Sequence, residues 1–293
     1  MSESPKKIHV VINPAAGKDE PILNIINDVC RRYDVDWSIS VTKKFGDATE
    51  FTRQAAKKGF DIVAGYGGDG TQHEIANGIL GTNAIMGVLP GGTGNNFSKE
   101  LGTPQTLRPA VELLCTSQKV RYVDVVQMGD TFFILRLYVG IEPEQQTSRE
   151  DKDKYGKLAY IIDTTRKARI SKEVKYRIRI DDELIEVPAM VLYVVNAAKN
   201  GAGISVVGAV SKIDDGLMDA FILNMNDLNT IAGTFDRMLN INTINAKKYL
   251  RQGKEMTIET EPDQPVWTDG EYTGRTPISL KVLPAALPVV VPE

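Results

Sequence analysis

Apolar and polar residues change rhythm once along this chain. K-I-H-V-V-I-N is a short β-branched run, and P-I-L-N-I-I-N-D-V-C-R-R-Y then carries apolar residues at helical spacing. W-S-I-S-V-T returns to strand character, and A-T-E-F-T-R-Q-A-A-K-K is helical with one polar face. F-D-I-V-A-G-Y, T-Q-H-E-I-A-N-G-I-L, A-I-M-G-V-L-P and T-L-R-P-A-V-E-L-L-C continue as strand, helix, strand and helix. Such alternation predicts βαβ units around a mostly parallel sheet.

After about Tyr122 strand-like runs dominate: T-F-F-I-L-R-L-Y-V, V-K-Y-R-I-R-I, A-M-V-L-Y-V-V-N, M-D-A-F-I-L-N-M, E-M-T-I-E-T and I-S-L-K-V-L. Two helical stretches interrupt them, near Lys157–Ala168 and Asp227–Leu239, the second with Asp227 as its N-cap. Few helices among many strands predict a β-rich, sandwich-like second domain. The boundaries fall at 1–125 and 126–280, and the last strand, about 281–293, is a candidate to return to the first domain.

Three glycine-rich loops each follow an apolar strand of the first domain: N-P-A-A-G-K from Asn13, G-G-D-G-T from Gly67 and P-G-G-T-G-N-N from Pro90. In an open parallel sheet such loops emerge at one edge, where ligands bind. Each leads towards a helix whose first N–H groups favour an anion. Together they form a phosphate-sized cradle, with hydroxyls from Thr71 and Thr93 and a positive charge from Lys18. Neither G-x-x-x-x-G-K-[ST] nor G-x-G-x-x-G with a downstream acid is present in this register.

Composition narrows the partners. Of 293 residues, 42% are hydrophobic and 25% charged, as in a soluble globular protein. A net charge of −3 gives no electrostatic footprint for nucleic acid. The longest uncharged run, Ile75 to Ser98, is broken by Gly, Asn and Pro and is no membrane span. The first residues lack the apolar core of a signal peptide. Cys30 and Cys115 have no metal spacing and read as buried thiols of a reducing compartment.

N-P-A-A-G-K, G-G-D-G-T and P-G-G-T-G-N-N-F, in this order, resemble the catalytic domain of the diacylglycerol kinase family, and in particular its soluble bacterial lipid kinases. The resemblance continues through G-K-L-A-Y, D-D-G-L-M-D, D-G-E and T-P-I-S-L-K-V-L-P-A-A-L, and so covers nearly the whole chain. It implies an N-terminal domain like that of NAD kinase and phosphofructokinase, with a cleft to the second domain. It also implies an ATP- and magnesium-dependent kinase acting on a lipid hydroxyl, such as that of diacylglycerol, at a membrane surface. Such a protein is expected to be cytoplasmic and to dock reversibly. A homodimer stays open, as do two alternatives: an NAD kinase-like enzyme and a catalytically silent nucleotide or lipid sensor.

Carried over residue by residue, the resemblance implies that Asn13, Pro14, Ala15, Ala16 and Gly17 form the first nucleotide loop, with Lys18 near the phosphates. Thr42 matches a nucleotide contact. Gly67, Gly68, Asp69, Gly70, Thr71, Gln72, His73 and Glu74 match the central phosphate segment, and Thr93 the third. Asp69 lies where an acid faces magnesium through water. Asp215 and the Leu217 carbonyl match ligands of a second magnesium. The remaining ligand falls at Lys212, which has only its carbonyl to offer. The family places its proton acceptor in D-G-E, which makes Glu271 the first candidate and Asp269 the second. On an extended strand these two share one side, although Asp-Gly is also a strong hairpin-turn signal. His9 reads as structural, and Trp37 and Trp267 as core or cleft wall.

Overall fold

The computed structural model describes residues 6–16, 20–140, 174–197, 212–224 and 250–293. The predicted helices near 157–168 and 227–239, Gly17 and Lys18 lie outside these residues. The chain divides into two compact units, one of Met1–Asp124 with Ala285–Glu293, the other of Val125–Pro284.

The first unit alternates β1 (Lys7–Ile12), α1 (Ile22–Arg32), β2 (Asp36–Val41), α2 (Asp47–Lys57), β3 (Ile62–Gly67), α3 (Asp69–Ile79), β4 (Ile85–Pro90), α4 (Asn96–Leu101) and α5 (Leu107–Thr116), and then enters β5 (Val120–Met128). Strands β2, β1, β3 and β4 lie side by side and parallel. β3 is buried at every position, as a strand covered on both faces must be. On one face Ile26, Val29 and Cys30 of α1 join Leu107, Val111 and Leu114 of α5 over Ile8, Val10, Ile62 and Ala64. The thiols of Cys30 and Cys115 are free and buried there. Short α4 was not legible in the sequence, where its residues are masked by the glycine-rich loop before it.

The second unit holds β6 (Thr131–Phe133), β7 (Arg136–Val139), β8 (Val174–Ile180), β9 (Glu183–Ala189), β10 (Val191–Val195), β11 (Met218–Leu223), β12 (Leu250–Gly253), β13 (Glu255–Glu261), β14 (Pro265–Thr268) and β15 (Glu271–Arg275), and then enters β16 (Ile278–Val290). Strands β12, β11, β10, β7, β14 and β15 form one antiparallel sheet. The first part of β16 pairs with β13, which pairs with β8 and through it β9. Alternate residues of the two sheets meet in one core, Leu137, Val139, Leu192, Val194 and Val266 against Tyr176, Ile178, Ile180, Met256, Ile258 and Leu280. The last part of β16 lies in the first unit, where Val289 pairs in parallel with Met86 of β4.

The architecture is therefore the one read from the sequence, a parallel α/β domain and a β-sandwich-like domain. Two local readings need correction. T-F-F-I-L-R-L-Y-V is not one strand: it breaks at Ile134 and Leu135, whose N–H groups bind the Asp269 carboxylate in place of a neighbouring strand. Asp269 is not on a strand at all. It forms a two-residue turn with Gly270 between β14 and β15, at φ +48° and +101°, as a hairpin of left-handed turn residues requires.

His9 is structural, as its place on β1 suggests. Its Nδ1 lies 2.6 Å from Ser38 Oγ and its Nε2 3.0 Å from Ser40 Oγ, with the ring against Phe60. Burial, with a smaller contribution from Lys58, lowers its pKa from 6.5 to about 4. The folded chain therefore refuses a proton that the unfolded chain accepts between those values, so stability falls as pH drops from 6.5 towards 4. Replacement His9→Gln keeps a polar group between the two serines and removes the titration. Denaturant unfolding at pH 7, 5.5 and 4.5 is expected to show a smaller acid loss in the variant, by on the order of 1–3 kcal/mol.

Candidate functional site

Parallel order brings the ends of β1, β2, β3 and β4 to one edge of the first unit, and with them the loops of all three glycine-rich segments. The first loop leaves β1 at Asn13, whose N–H donates to the Tyr66 carbonyl at 3.0 Å. The Asn13 amide donates to Thr71 Oγ1 at 3.1 Å, and its Oδ1 accepts the Ala15 N–H at 3.0 Å. Pro14, Ala15 and Ala16 make a single 3-10 turn, the first two exposed. Thr42 follows β2 and bonds back to the Ile12 carbonyl through its N–H at 2.9 Å. These residues are thus tied to the central loop and to one another.

The second and third loops press together. Gly91 N–H donates to the Gly67 carbonyl at 3.0 Å. A Cβ on Gly92 would sit 2.5 Å from Gly68 Cα, and one on Gly67 would collide with the Thr71 side chain. At these two positions the missing side chains answer to neighbouring backbone and Thr71. Asn95 closes the third loop on itself, accepting from Gly92 N–H at 3.0 Å and donating to the Gly92 carbonyl at 2.6 Å. Its φ of +47° is of the kind Asn tolerates better than most residues. Thr93 stands exposed between them.

Two acids of the central segment are turned towards neighbouring helices. Asp69 is buried; its Oδ1 accepts the Phe97 N–H at 3.0 Å and its Oδ2 the Asn96 amide at 2.9 Å, which caps the start of α4. Glu74 reaches the start of α2, accepting from Gly46 N–H at 2.7 Å and Ala48 N–H at 3.2 Å. Burial raises the Glu74 pKa, and those backbone donors oppose the rise. Gln72 bonds the Gly65 carbonyl at 2.8 Å beneath β3, and His73 is buried with its carbonyl accepting from the Asn77 amide. The amino terminus of α3 is different. Its N-cap is Gly68, which has no side chain to offer. Its first N–H groups and helix dipole favour an anion.

The remaining candidates belong to the second unit. Asp269 Oδ2 accepts from Ile134 N–H at 2.9 Å, and Oδ1 from Leu135 and Arg136 N–H at 3.0 and 2.9 Å. Glu271, two residues on, is exposed at the start of β15. Trp267 is buried on the same hairpin, stacked on Tyr138 at 5.9 Å. Asp215 is exposed, and its Oδ1 accepts the Leu217 N–H at 3.1 Å across a tight turn at Gly216. Lys212 is exposed nearby in sequence. Among the described residues no group of three or more His, Cys, Asp and Glu side chains is placed to hold a metal ion.

Sequence reasoning passed over Asn95, Asn96 and Asn196. For the first pair a signal existed, since Asn is a favoured helix cap and the two precede an apolar residue. Asn196, whose amide donates to the Ile134 carbonyl at 3.0 Å, gave none, because its partner lies far away in sequence.

Comparisons with known proteins agree along the chain. The family model of the diacylglycerol kinase catalytic domain matches residues 7–128. That of the YegS C-terminal NAD kinase beta sandwich-like domain matches residues 136–291. A diacylglycerol kinase of Staphylococcus saprophyticus is 28% identical over 283 residues, which cover 93% of this chain and 91% of that one. An uncharacterized protein of Synechocystis is 26% identical over 304 residues, 97% of this chain and 70% of its own. The crystal structure of a diacylglycerol kinase from Bacillus anthracis superposes with a TM-score of 0.81 at 28% identity, covering 98% of this chain and 97% of that one.

The packing of the second and third loops is open to test. Gly92→Ala places a methyl group against backbone, which cannot rotate away. Unfolding in denaturant is expected to show a loss of about 1–3 kcal/mol, together with weaker nucleotide binding by calorimetry. Unchanged stability and binding would mean that the loops separate freely.

Proposed function

The chain belongs to the diacylglycerol kinase catalytic-domain family, whose members are lipid kinases, and from that premise we propose that it transfers the γ-phosphoryl group of ATP, with magnesium, to a hydroxyl of a glycerolipid such as diacylglycerol. The observation that carries this reading is the amino terminus of α3. At one sheet edge α2 receives Glu74 and α4 receives Asp69, while α3 is capped by a glycine. Donors left there suit a phosphate. Asn13 and Gly67 border the same edge, Thr42 flanks it, and the exposed Thr93 hydroxyl stands ready beside it.

The residues fit magnesium in a limited way. Each Asp69 oxygen takes one hydrogen bond and keeps a second lone pair, enough to hold a metal-bound water. At 212–217 the donors that match the family's ligands are the Asp215 carboxylate and the carbonyls of Leu217 and Lys212, with the exposed Asp214 carboxylate next to Asp215 in the chain. Such a set suits an ion that retains most of its waters. When bound with ATP, magnesium neutralises the phosphate charge.

The acceptor hydroxyl must lose its proton as the new phosphate ester forms, and a carboxylate of the 269–271 hairpin is the group we assign to take it. Since the acceptor is a membrane lipid, the enzyme works at a bilayer surface, docking there reversibly.

The test uses purified protein, magnesium and γ-labelled ATP, with mixed micelles of diacylglycerol, phosphatidylglycerol, ceramide or sphingosine and soluble NAD in parallel. Label is expected in a glycerolipid, and Glu271→Gln is expected to lower the rate by about 10²–10⁴-fold. Label in NAD alone would overturn the lipid assignment. ATP binding with no transfer to any acceptor would favour a sensor.

A further inference from the structure

We propose that the loop joining β2 to α2 is the surface by which this chain docks on an anionic phospholipid bilayer: the Phe45 ring enters the interface, and the ammonium groups of Lys43 and Lys44 meet lipid phosphates. This rests on the kinase reading above, in which the acceptor is a membrane lipid.

Exposed apolar side chains gather at this loop. A single one on a surface means little. Among the described residues eight large apolar or tyrosine side chains are exposed, and three of them, Ile39, Val41 and Phe45, follow one another along the end of β2 and the loop it enters. Phe45 is the most exposed of the eight, at 66%. Ile39 and Val41 share one face of β2, an edge strand whose only pairing among the described residues is to β1. On the other face Ser38 and Ser40 meet His9. Val41 stands beside Ile12 at the end of the strand, the edge from which Asn13 and the glycine-rich loops also leave.

The backbone of the loop is fixed from both sides. Asp47 Oδ2 accepts the N–H groups of Lys43 and Lys44 at 2.8 and 3.1 Å. Glu74 Oε2 accepts the Gly46 N–H at 2.7 Å, and Gly46, at φ +92°, turns the chain into α2. Thr42 is tied to the Ile12 carbonyl. Phe45 is thus presented outward from a set frame, and in water its ring forgoes the stabilisation that burial brings. A loop ordered in advance can place such a ring in another apolar medium at little entropic cost.

Charge selects the partner. Lys43 and Lys44 are exposed, and among the described residues neither ammonium group forms an ion pair. Asp47 offsets part of their charge while its oxygen is held by the backbone, Glu74 is turned to the start of α2, and Glu50, further along α2, bonds Gln54. A basic pair beside a projecting aromatic ring suits lipid phosphates above an apolar interior. Nucleic acid would use the charges and leave the ring in water. A second copy meeting this loop symmetrically would set its lysines against their like.

The test sediments the purified full chain, without ATP, with vesicles of phosphatidylcholine alone or mixed with phosphatidylglycerol. Tighter binding is expected on the mixed vesicles. Phe45→Ala is expected to weaken it about 10-fold. Lys43→Gln with Lys44→Gln is expected to remove about 5-fold per charge, on the mixed vesicles only. Tyr33→Ala, exposed at the far end of α1, is expected to change nothing. In Phe45→Trp, brominated lipid is expected to quench emission beyond that of the wild type. ATP binding by calorimetry is expected to be the same in every variant.

A wild type that binds no vesicle, or a Phe45→Ala variant that binds as the wild type does, would overturn the docking surface. So would weaker ATP binding in Phe45→Ala, which would give the ring to the nucleotide, or a dimer that this variant separates with vesicle binding unchanged. Vesicle binding that depends on Phe45, in a protein that phosphorylates no lipid, would overturn the kinase reading and leave the docking surface standing.

Discussion

A carboxylate removed from water has to be met by hydrogen-bond donors, and for Asp69, Glu74 and Asp269 backbone amides are among those donors. Asp69 meets α4, Glu74 meets α2, and Asp269 meets the segment from Ile134 to Arg136. Each bond satisfies two demands at once. The acid gains partners, and an amide that no helix or strand would have paired gains an acceptor. The loops at the sheet edge and the turn before β15 take their shapes from these contacts. Ion pairs contribute little by comparison: those of Asp28, Glu186 and Glu255 lie between exposed side chains.

This constraint separates what could be read in the sequence from what could not. The alternation of short β-branched runs with amphipathic stretches is local, and it carried the parallel domain and the β-rich domain without further help. The order of three glycine-rich loops placed the candidate site. The destinations of the acids are another matter. Asp269 binds amides more than 130 residues earlier, and nothing in D-G-E or in T-F-F-I-L-R announces the other. For that reason one continuous strand was expected where two stand, and the Asp-Gly pair was placed on a strand although its turn propensity was plain. Pattern reports what a segment prefers, whereas long-range satisfaction of polar groups decides where it bends.

The glycines show the same division. Gly68, the cap of α3, would meet only Gly92 Cα, at 3.5 Å, with a Cβ, so packing does not forbid a side chain there. Gly67 and Gly92 answer first to the protein itself, since a side chain at either would strike Thr71 or Gly68. A sequence shows four glycines in six positions but not which neighbour forbids each side chain. The cradle is thus a packed object before any ligand arrives, and its donors are fixed in place by loops that cannot drift apart without losing contacts.

The first unit is assembled from two distant stretches of chain. Its edge at β4 is extended by Val289, Val290 enters its core, and the Ala285 N–H reaches Asp124 at 2.7 Å. In order of synthesis, Ala285–Glu293 follow the whole of the second unit. A ribosome therefore releases all of the glycine-rich loops long before the strand that completes their sheet exists. The first unit waits in an unfinished state, with the flank of β4 unpaired, while the second can close on itself. The sheet that carries those loops is thus completed only after the second unit has been made.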